Sequence, residues 1–348
     1  MSTVTEVVER FQSLPGLRAK SSLRLVAEVF GASDWVHGPG DDTAVIEDGE
    51  GYLLVGGEAI WPPLIQADPF AAGTAAVVAN VNDVAATGGR SLALVDHVVA
   101  PETVARAVLE GIRFAAGLYG VPVVGGHLTI WDGPPSVSAS VVGRAGRLLS
   151  VRNVAPGQAL LLGCCLEGEM RKDFPFFSSI RQRAGRLAGD VGLLPRLAEE
   201  GHCAAAKDVS MAGVLGSLAT MLEPTRCGAA VDLKALPRPE GVALAPWTSA
   251  FPTFAFLLCA PPAEADALRR AFRGRGLACE QVGAIDDTGR LRVSLGREES
   301  QLLDLTTESV TGLNGNSLAI AIEGESPSSG GDGRGTRPAP PSGASRGA

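Results

Sequence analysis

Several things are scarce in this sequence of 348 residues, and each shortage removes a class of function. It contains no Cys-x-x-Cys pair: Cys164, Cys165, Cys203, Cys227, Cys259 and Cys279 are scattered through the second half. That spacing argues against a zinc ribbon or a disulfide framework and suits a reducing, cytoplasmic setting. Aromatic residues make up 5%, no cluster of lysine and arginine occurs, and the net charge is −8. Nucleic acid and anionic membrane surfaces are therefore poor partners. No apolar run approaches the roughly 20 residues of a membrane-spanning helix. Met1 to Leu14 carries charges and lacks the apolar stretch of a secretory leader. What remains is 45% apolar with 44 glycines, long enough for two domains. Abundant small residues let helices lie close on a sheet. An anionic ligand would have to bind through helix N-termini or metal ions.

The stretch Gly38-Pro39-Gly40-Asp41-Asp42-Thr43-Ala44-Val45-Ile46 sets two adjacent carboxylates at the junction of a glycine-rich loop and an apolar run. Like charges held close repel and raise each other's pKa. One reading is a magnesium site, since hard cations prefer carboxylate oxygen. The other is a solvated turn, for which Pro, Gly and Asp are ordinary residues. Strands are expected at 43–46 and 52–56, and Glu58 follows the second at once, before Trp61-Pro62-Pro63. Asp68-Pro69 opens a helix to about Thr87 whose body is small and apolar, hence buried on most sides. Asn80, Asp83 and Thr87 fall at i, i+3 and i+7 on one face of it. A lone buried carboxylate is costly, which makes Asp83 a better ligand candidate than an exposed acid. Gly88-Gly89 suits the helix end.

A strand over 91–99, a helix over 101–119 and a short strand over 121–124 follow, the last ending in a Gly125-Gly126-His127 turn where backbone N–H groups can approach a ligand. His127 reads equally as an ordinary hydrogen-bonded histidine. Ser136 to Ala145 is a further strand. A boundary is expected near 150–157, then a strand over 160–163, a mostly helical stretch from Phe174 to Glu200 with exposed arginines, and a helix from Met211 to Leu222. Asp208 stands before that helix, either as an N-terminal cap or as a ligand. Lys20 either reaches a phosphate or is a surface lysine at a helix start. Short strands near 229–232, 254–259, 279–284 and 291–294 and a helix over 263–272 complete the pattern. From Gly324 to Ala348 the composition of Gly, Pro and Ser is that of a disordered tail.

Taken in order, Gly-Pro-Gly-Asp-Asp-Thr-Ala-Val at 38–45, Asp-Pro at 68–69, Asn-Val-Asn-Asp-Val-Ala-Ala-Thr-Gly-Gly at 80–89, Val-Gly-Gly-His at 124–127 and Lys-Asp-Val-Ser at 207–210 resemble the aminoimidazole ribonucleotide (AIR) synthase superfamily. Thiamine-monophosphate kinase, selenide,water dikinase and the hydrogenase maturation dehydratase are other members. The resemblance implies an α/β (α+β) PurM-like fold of two domains, 1–150 and 151–323. The N-terminal sheet would form a β-barrel across a homodimer, and the C-terminal domain would be ferredoxin-like. It implies ATP bound with Mg²⁺ between the domains, and phosphoryl transfer to a small-molecule acceptor. On that resemblance Asp41, Asp42, Glu58, Asp83 and Asp208 hold the metals, and Thr43, Asn80, Gly125 and Gly126 lie along the nucleotide. His127 and Lys20 then serve the acceptor. Clustered carboxylates facing a polyphosphate make sense only with cations between them. The acceptor-side residues match none of these members at every position, which leaves a non-catalytic ATP-binding subunit as a second reading.

Overall fold

A computed structural model describes residues 3–31 and 40–313. Gly38 and Pro39, and the tail from Gly324, lie outside the described residues. Within them the first half of the chain builds a five-stranded sheet from β1 (Ala44–Asp48), β2 (Gly51–Ala59), β3 (Arg90–Ala100), β4 (Val123–Ile130) and β5 (Ser136–Ala145), in the spatial order β1-β2-β5-β3-β4. All neighbours are antiparallel except β3 and β4. That parallel pair needs a crossover, which the helix Glu102–Tyr119 provides.

Among the described residues of this half the α-helices are α1 (Val4–Ser13), α2 (Pro15–Lys20), α3 (Arg24–Phe30), α4 (Pro62–Ala67), α5 (Pro69–Ala86) and α6 (Glu102–Tyr119). Asp68 caps α5, accepting the backbone N–H of Ala71 at 3.0 Å, and Pro69 occupies its first position. Gly88, at φ +89°, adopts the left-handed conformation that ends it. α5 is apolar around most of its circumference because it is covered on several sides: by β2, β3 and β5, by α6, and by the second half of the chain. Two glycines allow that crowding. A Cβ on Gly73 would lie 2.0 Å from the carbonyl oxygen of Val108, and one on Gly111 2.1 Å from that of Phe70. The backbones of α5 and α6 therefore touch directly.

The second half carries a seven-stranded sheet that runs, edge to edge, Glu298–Asp304, Arg290–Leu295, Gly228–Asp232, Ala278–Asp286, Ala159–Cys164, Ala255–Ala260 and Ala205–Asp208. Its central strands are buried on both faces and read as unbroken apolar runs, such as Ala159-Leu160-Leu161-Leu162. The helix Gly213–Leu222 covers part of it, wholly buried. α1 and α2 pack here too, although they precede the first sheet in sequence. Val4, Val7, Phe11 and Leu17 share a core with Leu215, Leu218 and Trp247, and a Cβ on Gly16 would meet the Met211 carbonyl oxygen at 2.1 Å.

Three local expectations change. Gly125, Gly126 and His127 lie inside β4 rather than in a turn after it, since pairing with β3 continues through Ile130. The stretch 174–200 is not one helix: Phe176–Ser178 is a strand, and four short helical pieces follow. Its Arg183 is buried rather than exposed, because Asp190 and Glu167 pair with it. A strand at Glu298–Asp304 was not anticipated; its alternation is broken by Glu298-Glu299-Ser300-Gln301. Among the described residues no helix is long and apolar enough to cross a membrane.

The helix contact predicts opposite effects of one substitution at two glycines of α6. Gly111→Ala should cost about 2 kcal/mol or more by overpacking, and lower the melting temperature by several degrees. Gly117→Ala, where the added methyl meets nothing within 4 Å, should stabilise by about 0.5–1 kcal/mol. Equal melting temperatures for the two variants would refute this packing.

Candidate metal-binding site

Three separate segments deliver carboxylates to one place. Asp42 lies in the loop before β1, Asp83 in the last turn of α5, and Asp208 at the end of the strand Ala205–Asp208. One oxygen from each lies within 4.8 Å of the others. The two sheets thus meet at this point. The backbone N–H of Asp208 donates to Asp42 Oδ2 at 3.3 Å. Lys207 Nζ donates to Asp42 Oδ1 and, at 2.6 Å, to Asp208 Oδ1. Lys207 is 5% exposed and Asp83 6%. Asp83 Oδ2 is buried without a hydrogen-bond partner among the described residues.

The electrostatics follow from this crowding. Burial, reinforced by the charges of Asp208, Asp42 and Glu58 and opposed by Lys207, pushes the Asp83 carboxyl well above its ordinary range. For Asp42, burial raises the carboxyl, Lys207 opposes it and Asp208 adds to it, with the result at about 7. Burial alone would lower the Lys207 ammonium, but the adjoining Asp208 and Asp42 outweigh it and hold its proton more firmly than usual. Glu58 presents an open residue surface, yet the protein crowding its carboxyl desolvates and raises it; Lys20 lowers it and Asp208 raises it again. Every donor here is an oxygen, with no imidazole or thiolate in the cluster. Such a set suits a hard cation. A buried, unpartnered carboxylate oxygen must be met by a proton or a cation.

The residues singled out from the sequence divide into three groups. Asp42, Asp83 and Asp208 converge, with Glu58 close enough to act electrostatically on Asp83 and Lys20 close enough to act on Glu58. Asp208 is no helix cap, because Ala212 holds that position. Asp41 turns the other way: Ser150 Oγ donates to it at 2.6 Å and the Val151 N–H at 2.7 Å, so it ties the loop to the start of the second half. Thr43 and Asn80 are structural. Asn80 is fully buried and donates to the carbonyls of Ala76 and Ala139, at 2.8 and 3.1 Å; Thr43 donates to Thr87 Oγ1 at 3.0 Å. Neither reaches an open surface where a nucleotide would lie. Gly125, Gly126 and His127 sit on β4, three strands from Glu58 along the row Glu58–Ala139–Asp96–Gly126. His127 also faces away from α5, beside His97, with Nε2 3.1 Å from Thr129 Oγ1. Among the described residues it does not join the cluster. Gly126 is required there because a Cβ would lie 2.6 Å from the Asp96 carbonyl oxygen.

Lys207 was missed. Its signal was present as a single cation in the run Ala204-Ala205-Ala206-Lys207-Asp208-Val209. An ammonium in a buried strand demands a paired acid, and the neighbouring Asp208 supplies one.

Residues 40–145 match the family model of the AIR synthase related protein N-terminal domain, and residues 186–296 match that of its C-terminal domain. The uncharacterized protein sll0787 of Synechocystis sp. is 32% identical over 322 residues, which span 90% of this chain and 100% of that one. A selenide, water dikinase of Myxococcus xanthus is 28% identical over 257 residues, 67% of this chain and 72% of that one. Among solved structures, T. maritima PurL complexed with ATP superposes with a TM-score of 0.67 at 20% identity, covering 82% of this chain. This chain spans about half of the PurL chain, 48%; the likeness is one of fold.

The raised carboxyls carry a sign. Asp42 moves from 3.8 to about 7 on folding and Asp83 moves the same way. Their contribution to stability is complete below the unfolded value and is lost as pH rises through the folded one. The metal-free protein should therefore lose melting temperature from Asp42 between about pH 4 and pH 7, and from Asp83 as pH rises above its ordinary carboxyl range. In Asp83→Asn the amide can donate to its acidic neighbours, so the decline should flatten and the metal-free protein should melt higher than wild type at neutral pH. Parallel melting curves for the two proteins across that range would contradict the assignment.

Proposed function

The chain belongs to the AIR synthase-related protein family, and from that premise we propose that it is an ATP- and Mg²⁺-dependent phosphoryl-transfer enzyme acting on a small molecule. The observation that carries this reading is the orphaned Asp83 Oδ2 in a buried, all-oxygen cluster shared between the two halves of the chain. The donor set fits magnesium, and Asp42, Asp83 and Asp208 would hold it, with Glu58 at the open side. Bound Mg²⁺ would supply charge neutralisation for a polyphosphate that four carboxylates otherwise repel.

The chain's own residues then do the remaining work. Asp42 and Asp208 fix the two halves around the ligand, the second through its backbone N–H to the first. Lys20, at the end of α2, offers an ammonium on the side of Glu58. Catalysis in such a site is largely positioning and compensation of charge. The likeness to selenide, water dikinase, and to a thiamine-monophosphate kinase of Rhodopirellula baltica that is 33% identical over 172 residues, supports ATP as the phosphoryl donor. We assign the acceptor side to the open end near Lys20 and Glu58. We further propose a homodimer. The face of the first sheet turned away from α5 exposes Ile46, Val55 and Val142, and among the described residues β4 has no strand on its outer edge. An apolar sheet face beside a free edge suits a second copy.

Phosphorus NMR of ATP with Mg²⁺ and a panel of amides, phosphorylated heterocycles and selenide tests the reaction. ADP or AMP should accumulate with one acceptor class, and Asp208→Asn should weaken Mg-ATP binding at least about tenfold by calorimetry, the scale of one lost buried charge contact. Binding without turnover on every acceptor would favour a nucleotide-binding subunit. No heat of Mg-ATP binding to the wild-type protein would overturn the site.

A further inference from the structure

Lys207 occupies the position that a cation would take. Its ammonium donates to one oxygen each of Asp42 and Asp208, two of the three acids that converge, while the third, Asp83, keeps a buried oxygen without a partner. The strand that carries it is buried, with Ala205 and Ala206 completely or nearly so, and the lysine itself is 5% exposed. Water therefore screens this ammonium little, and its attraction to the two carboxylates is strong. Lysine is a compact charge on a flexible four-carbon stem. It can exchange one anionic partner for another without moving the backbone.

We propose that Lys207 is a tethered cation that holds Asp42 and Asp208 against a free divalent ion and yields them when a polyphosphate arrives to accept the ammonium. This rests on the metal- and nucleotide-binding reading above and adds an order to it. A divalent ion alone meets a site already compensated by Lys207. A divalent ion together with a polyphosphate supplies both a replacement for the ammonium on the carboxylates and a new anion for the ammonium to contact. Lys207 thereby couples metal affinity to nucleotide, and it admits the two as one complex. It is a phosphate-contacting residue in the loaded state and a competitor in the empty one. No other lysine or arginine among the described residues makes an ion pair with Asp42 or Asp208.

The test measures Mn²⁺ binding by the loss of its free electron paramagnetic resonance signal, with MnCl₂ alone and with MnCl₂ plus a non-hydrolysable ATP analogue. Wild type should bind Mn²⁺ weakly alone and at least about tenfold more tightly with the analogue. Lys207→Met should bind Mn²⁺ alone about tenfold more tightly than wild type and gain little from the analogue, because a competing charge next to the ligands is gone. Lys207→Arg, which keeps the charge, should stay close to wild type. Thermal melting run in parallel shows whether Lys207→Met is folded; if it is not, Lys207→Gln replaces it with the same expectation. Wild type that gains Mn²⁺ affinity from the analogue, beside a neutral variant whose affinity for Mn²⁺ alone is unchanged or lower, overturns the role of Lys207 and leaves the site intact. Wild type that binds Mn²⁺ in neither condition overturns both the role and the phosphoryl-transfer reading.

Discussion

The structure turns on one buried ion pair that joins its two halves: the Lys207 ammonium shared between Asp42 of the first and Asp208 of the second. Taking these charges out of water is expensive, and a buried pair is weak evidence of net stabilisation. It is strong evidence of a fixed arrangement, because each of the three groups is tolerable only with the others in place. The loop before β1 and the strand Ala205–Asp208 are held in register by that mutual need. Asp41 supplements it from the same loop by binding Ser150 and the Val151 N–H.

Depth is the second condition. A carboxylate keeps a perturbed proton affinity only if solvent is excluded from it, and α5 achieves this by being nearly featureless. Alanines, valines and glycines allow α6 to press against it, while β2, β3 and β5 cover another side. Asp83 is then the one charged side chain on α5, and its neighbours brace the frame: the Asn80 amide donates to two carbonyls, and Thr87 to the carbonyl of Asp83 itself. The polar stripe is thus one functional group supported by two structural ones.

Much of this was legible in the residues. The helix at 69–86 was evident from Asp68-Pro69 at one end and Gly88-Gly89 at the other, and the strand over 136–145 from its alternation. Asp83 stood out because a polar residue on an all-round apolar helix has to be explained. Spacing could not separate Asp41 from Asp42, since adjacent residues turn opposite ways at a strand entry and only the tertiary partners decide which enters the cleft. Nor could it place Gly-Gly-His, because glycines that suit a turn also suit a strand pressed against a neighbour such as Asp96. Lys207 stands in the Lys-Asp-Val-Ser run at 207–210, but spacing does not reveal that its strand is buried and that its ammonium meets Asp42 from the other half of the chain. The motifs themselves were read correctly as those of the AIR synthase-related family, whose two domain models cover residues 40–145 and 186–296.

The placement of α1 and α2 bears on how the chain comes together. The Val4 N–H donates to Glu298 Oε2, 294 residues away, and Phe11 and Leu17 are buried in a core with Leu215 and Trp247. α1 and α2 have no apolar surface to bury against until the strands and helices of the second half are in place, so their docking is a long-range event. Until then their apolar face is open to solvent and to other chains. Lys20 ends α2 and its charge acts on Glu58, so that side of the site is completed only with this docking. Closing the long-range contact and completing the rim of the site are therefore one step.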